Sequence, residues 1–223
     1  MVTRPSQFFL RLVLTALLVN VSVIAAPRKT LRSVPYKDSQ YEWLSDFGED
    51  VPSEWRWLDI RQLKDRVQLK KGWYRFSEST MDAEELSGYP SLRFENVVFG
   101  DLDGDGVDEA AVSLYYSTGG TAGWSYLYVF RLSEGRPSLI ALLESGSRGS
   151  GGLREVKISK GHLIVEFADR DRMVGDCCSD GFIRETYRWT KKGFVRVRRL
   201  KGGSPVEEYP LKQSSTPTRP QSR

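Results

Sequence analysis

The chain has 223 residues, of which 39% are hydrophobic and 28% charged, with 33 Lys and Arg against 29 Asp and Glu. This balance excludes a wholly disordered, collagen-like or multi-span membrane protein, and it suits one domain of ordinary size with a single sizeable core. A net charge of +4 is too close to neutral to argue for a nucleic-acid partner.

Taken in chain order, Arg4 and Arg11 flank and interrupt an apolar stretch from Phe8 to Ala25 that ends in small residues. This is the layout of a signal peptide over residues 1–25, cut after Ala25. The alternative is an uncleaved anchor, but Leu12 to Val19 is the longest run without a charge or Asn, and it is too short to cross a bilayer unaided. The expectation is a secreted or periplasmic chain with no stable membrane insertion after cleavage. No Cys stands near the cut, which argues against a lipid anchor. Loss of Arg4 and Arg11 leaves 31 basic and 29 acidic residues, a net +2. Residues 26–36 are basic and unpatterned, and are read as a linker. Residues 212–223 carry Ser, Thr, Pro, Gln and basic residues with no apolar side chain, so burial cannot offset their ordering entropy and the segment is read as a disordered tail.

Between these ends, over 37–211, the dominant period is two. Val67 and Leu69, a turn at Lys70-Lys71-Gly72, then Trp73, Tyr74 and Phe76 read as a hairpin. Glu95 to Phe99, Ala110 to Tyr116, Tyr126 to Leu132 and Leu139 to Leu143 are β-rich runs bounded by turn formers. Val156 to Ile158 turns at Lys160-Gly161 and returns over Leu163 to Phe167. Ile183 to Trp189 turns at Lys191-Lys192-Gly193 and returns over Phe194 to Val197. Only Ser53 to Leu63 and Met81 to Leu86 have a helical look. The predicted class is mainly β, with antiparallel sheets as a sandwich or propeller-blade-like unit and one or two short helices.

The most informative stretch is Phe99-Gly100-Asp101-Leu102-Asp103-Gly104-Asp105-Gly106-Val107-Asp108-Glu109-Ala110, between two strands. Asp at loop positions 1, 3 and 5 turns three carboxylates toward one point, and Gly at position 6 permits the sharp turn of the wrapping backbone. An EF-hand needs a bidentate acid at position 12, here Val112, and flanking helices; both are missing. An Asx-rich turn that bonds its own backbone N–H groups, without metal, is the other reading of these residues.

The segment resembles the FG-GAP/VCBS-type calcium loop, in which strand, D-x-D/N-x-D-G-x-x-D/E and strand follow one another. The resemblance implies Ca²⁺ held by the side chains of Asp101, Asp103 and Asp105, the carbonyl of Val107, and Glu109 as the closing acid, where Asp is commoner. The match covers about 16 residues. Propellers of this kind repeat the unit, and here Asp176-Cys177-Cys178-Ser179-Asp180-Gly181 keeps only positions 1, 5 and 6, so the propeller fold does not carry over. Over roughly Val97 to Val197 the order of motifs is similar to a group of uncharacterised exported bacterial proteins, a likeness that brings no activity with it.

The two cysteines, Cys177 and Cys178, are adjacent. In an oxidising compartment a disulfide between them closes an eight-membered ring and stiffens a loop tip without cross-linking distant strands; reduced buried thiols and an intermolecular or redox role are the alternatives. The only histidine, His162, follows a turn, which leaves little basis for a nucleophilic triad. The Gly-rich loops Ser117 to Gly123 and Gly146 to Gly152 match no phosphate-cradling pattern. Acids for a glycosidase pair could come from Glu144, Glu155, Glu166, Asp169 and Asp171. Trp124 is the tryptophan expected to be exposed. Arg196 and Arg198 are expected on one strand face, as a solvated edge.

The reading is an exported β-domain that serves as a binding or interaction module, with a structural Ca²⁺ and an extracellular or envelope protein or glycan as partner. The loop should fix the angle between its flanking strands and so hold the Ser117 to Trp124 loop in place. The alternative is an envelope-glycan or peptide hydrolase that uses an acidic cluster.

Overall fold

A computed structural model of the chain describes residues 30–43, 55–76, 89–120, 122–147, 151–174 and 178–203. The leader, the 212–223 tail, Met81 to Leu86 and Cys177 lie outside these residues. The strands are β1 (Gln40–Trp43), β2 (Arg56–Leu58), β3 (Asp65–Gln68), β4 (Trp73–Arg75), β5 (Ser91–Gly100), β6 (Glu109–Ser117) and β7 (Gly123–Ser133). There follow β8 (Arg136–Ser147), β9 (Leu153–Ser159), β10 (His162–Ala168), β11 (Met173–Val174), β12 (Cys178–Ser179), β13 (Gly181–Thr190) and β14 (Gly193–Gly203). Every strand pairing is antiparallel. The protein is mainly β, and among the described residues its only helical pieces are 3-10 turns at Leu31–Ser33, Tyr36–Asp38, Ile60–Gln62 and Arg170–Arg172.

A six-stranded sheet in the order β2-β8-β7-β6-β5-β4 occupies the middle. One face carries Ala111, Leu127, Val129, Ala141 and Leu143, which pack against Val156, Leu163, Val165, Phe167 and Tyr187 of a four-stranded sheet, β14-β13-β10-β9. The other face carries Val112, Leu114, Tyr126, Tyr128 and Leu142, which pack against Leu31, Tyr36, Tyr41, Trp43, Val67 and Leu69 of the N-terminal segment and the β1-β3 pair. The result is a sandwich with a third, smaller layer. Coverage on both sides explains why β6 and β7 read as continuous apolar runs while β13 alternates: in β13 Gly181, Ile183, Glu185 and Tyr187 are buried and Trp189 packs against the same core. Each fully buried Leu or Tyr stabilises by roughly 1.5–3 kcal/mol from lost apolar exposure.

Several expectations are corrected. The Ser53 to Leu63 stretch is not a helix from Trp55 onward, because Arg56, Trp57 and Leu58 pair with Glu144, Leu143 and Leu142 at the sheet edge and only a 3-10 turn follows. Lys70 and Trp73 exchange both backbone hydrogen bonds, yet no hairpin grows from this turn: β3 pairs with β1 and β4 with β5. From Thr30 on, the segment read as a linker is packed, with Leu31 and Tyr36 in the core. Trp124 is buried and donates from Nε1 to the Tyr126 hydroxyl at 2.5 Å, while Trp73 is half-exposed. Trp55 stacks on Phe167 and Trp57 on Phe194, so both serve packing.

The basic edge is also rearranged. A register shift in β14 sets Arg196 opposite Tyr187, Arg198 opposite Thr186 and Arg199 opposite Glu185, which puts Arg196 and Arg198 on different faces. Arg196 and Arg199 thereby converge on the fully buried Glu185, at 2.6 and 3.5 Å, which also accepts from Trp55 Nε1 at 2.9 Å and from the Tyr187 hydroxyl. These donors satisfy a carboxylate that the core would otherwise leave without partners.

At the end of β5, Gly100 makes room for β9. A side chain at Gly100 would bring its Cβ within 2.9 Å of the Ile158 Cβ. Gly100→Ala should therefore destabilise the chain by roughly 1–3 kcal/mol through overpacking. Ile158→Ala in the same molecule should recover part of that loss, measured by denaturant unfolding of both single variants and the double variant.

Candidate metal site

The loop Asp101–Asp108 joins β5 to β6 at the point where Gly100 pairs with Glu109. Gly104 and Gly106 adopt φ of +82° and +81°, a conformation that folds the chain back on itself and that side-chain-bearing residues rarely adopt. The Asp101 carboxylate accepts from Gly104 N at 2.7 Å and from Gly106 N at 3.0 Å; Asp103 accepts from Asp105 N at 3.3 Å, and Asp105 from Val107 N at 2.7 Å. These are the Asx-turn bonds of the metal-free reading, and they organise the loop whether or not a cation is present.

Glu109 differs from the three aspartates. It opens β6, it is buried, and it accepts from Leu102 N at 2.7 Å. One carboxylate oxygen from each of Asp101, Asp103 and Glu109 lies within 4.8 Å of the other two. Asp105 is not part of that close group, and its carboxylate serves the turn. Val107 has an exposed side chain on the outside of the loop. Cations near the loop are few among the described residues: Arg131 stands 3.7 Å from Asp103, and Arg32 pairs with Asp108 at 2.6 Å. Burial pushes the Glu109 carboxyl up to about 7, with further upward contributions from Asp103, Asp105 and Asp101 against a downward one from the Leu102 N–H. Sequence reasoning placed Glu109 as the closing acid but had no signal for its burial.

The chemistry on offer is an all-oxygen donor set with no His or Cys in the close group, which suits a hard divalent cation. Of the other residues singled out by sequence, Cys178 is disulfide-bonded and sits on the short β11-β12 pair. Glu144 is held by Arg56, Glu155 by Lys157, Glu166 by Arg184 and Asp171 by Lys201, while Asp169 accepts from Asp171 N. His162 Nδ1 lies 2.8 Å from the carbonyl of Lys160. The Ser117 to Trp124 loop lies at the far end of β6 from Asp101, about 26 Å away along an extended strand. Any influence of the Asp101 to Glu109 loop on it would therefore run through the flanking strands β5 and β6, not through contact.

No family model matches this chain, and no curated protein or solved structure is similar to it beyond chance. The likeness to FG-GAP-type loops therefore rests on the loop residues alone. Among the described residues no helix is long and apolar enough to cross a membrane.

The raised Glu109 value fixes the sign of a pH effect. Between the ordinary carboxylate range and about 7, the folded metal-free protein binds a proton that the unfolded chain has released. Its stability is then fully present at acid pH and falls as pH rises through about 7. Thermal melting in chelator from pH 5 to 8 should show this decline, and Glu109→Gln should flatten it.

Proposed function

We propose that the chain is an exported β-sandwich binding module in which the Asp101 to Glu109 loop takes one structural Ca²⁺. The observation that carries the reading is a buried carboxylate, Glu109, with oxygens of Asp101 and Asp103 within 4.8 Å and, among the described residues, only Arg131 near the group, 3.7 Å from Asp103. Three clustered negative charges at the end of a buried strand repel one another and the burial of Glu109, and a divalent cation relieves both. Asp105 and the Val107 carbonyl complete the oxygen set in this proposal, which fills most of the six to eight positions calcium takes and leaves little room for substrate. That occupancy argues for a structural ion. Export is supported by the Arg4 to Ala25 leader pattern, and calcium is plentiful outside the cell. The partner is an extracellular or envelope molecule, with no case for nucleic acid at a net charge near +2 once Arg4 and Arg11 are removed.

Extracellular calcium modules bind at about 10⁻⁴–10⁻³ M, so millimolar calcium should stabilise the fold by roughly 1 kcal/mol over the chelated protein. The melting temperature should rise accordingly in the parent and stay unmoved in Asp103→Ala. A parent chain whose melting temperature ignores calcium at neutral pH would sink the site.

A further inference from the structure

Ser117, Gly120 and Gly123 of one Gly-rich loop and Gly146 and Gly152 of the other lie together at the end of the sandwich away from the Asp101 to Glu109 loop. There Trp124 pairs with Ser147, and Gly146 and Gly151 join through a backbone hydrogen bond. Between them opens a polar cleft of about 340 Å³, at the small end of ligand pockets, which run about 300–1,000 Å³. Its floor is one cross-strand row of the central sheet, Arg93 on β5, Tyr115 on β6 and Ser125 on β7, each directly opposite the next. One wall is the start of β9 at Gly152 and Leu153.

Three features of this floor are unspent. Ser125 is 5% exposed, and its hydroxyl has no hydrogen-bond partner among the described residues, although its N–H donates to Ser145. Ser125 lines the cleft, so that hydroxyl is open there to water or to a ligand group. The Tyr115 hydroxyl likewise has no partner among the described residues. Arg93 lies over the Tyr115 ring at 4.7 Å and gives Glu95 a hydrogen bond of 3.2 Å, the one its guanidinium makes among the described residues out of five N–H donors. Gly123 belongs to the same construction, because a side chain there would meet the Tyr115 ring at 2.6 Å.

We propose that this cleft binds one ring of a neutral, hydroxylated ligand, a monosaccharide unit. Arg93 and Glu95 cancel in charge, so the site does not select an ion. Together they offer donors beside an acceptor, and Ser125 and Tyr115 offer groups that both donate and accept. Sugar hydroxyls do both as well, and a single ring matches the volume. The proposal deepens the binding-module reading and rests on it, while the metal loop stands at the other end of β5 and β6.

The test is calorimetric titration of the full exported chain with glucose, galactose, mannose, N-acetylglucosamine and glucuronate, in calcium and again in chelator. At least one neutral sugar should bind saturably, and glucuronate no tighter than glucose. Ser125→Ala and Arg93→Ala should each weaken that binding roughly 2–10-fold, the loss of one or a few net hydrogen bonds. Glu95→Gln leaves Arg93 uncompensated, so in that variant glucuronate should gain on glucose. Should Arg93→Ala fail to fold, Ser125→Ala and Glu95→Gln decide. The inference is overturned if none of the four neutral sugars binds, if the parent prefers glucuronate, or if binding ignores the substitutions. A chain that calcium stabilises yet no sugar binds refutes this inference alone and leaves the calcium site standing.

Discussion

The constraint on which the rest depends is that the central sheet is buried on both faces. Side chains of β6 and β7 alternate between two cores, so neither strand has a wet side along most of its length. Any polar group on these strands must find its partner inside the protein. Ser125 lines a cleft at one end of this region, and Glu109 is buried at the other. Glu109, at the start of β6, has one backbone donor and two aspartates beside it; burial and these neighbours raise its pKa, and the cation proposed above would relieve the same imbalance.

Much of the fold was legible because its strands are punctuated by strong turns. Lys160 and Gly161, at φ of +51° and +73°, close the β9-β10 hairpin where sequence placed it. The β13-β14 hairpin also turns where Lys191-Lys192-Gly193 suggested. What was not legible depends on distant partners. The Lys70 to Trp73 turn looks like any hairpin turn, and only the availability of β1 and β5 sends its two strands to different sheets. Arg196 and Arg198 are two apart and should share a face; a one-residue register shift separates them, and period counting has no means to see a bulge.

The metal loop divides in the same way. The glycines and aspartates at 101–106 are a local pattern, and the turn bonds they make are local too. Burial of Glu109 is a tertiary property that the local spacing of the loop does not carry. Asp105, equal to Asp101 and Asp103 in sequence, stands outside the close oxygen group, with its carboxylate bonded to Val107 N. The acids considered for hydrolysis looked interchangeable in sequence, yet each is engaged by its own cation or backbone donor, a fact of register that spacing does not carry. Trp124 was placed on the surface by its glycine neighbours, whereas the glycines open the cleft beside it and the indole fills the core.

The account stands or falls on whether the carboxylates of Asp101, Asp103 and Glu109 act as one cation site. Calorimetric titration of calcium into the metal-free chain at neutral pH tests this most directly. The account predicts one ion per chain with a Kd of about 10⁻⁴–10⁻³ M, lost in Asp101→Ala. No saturable binding at roughly 10 mM calcium, or binding of the same strength in Asp101→Ala, would contradict it.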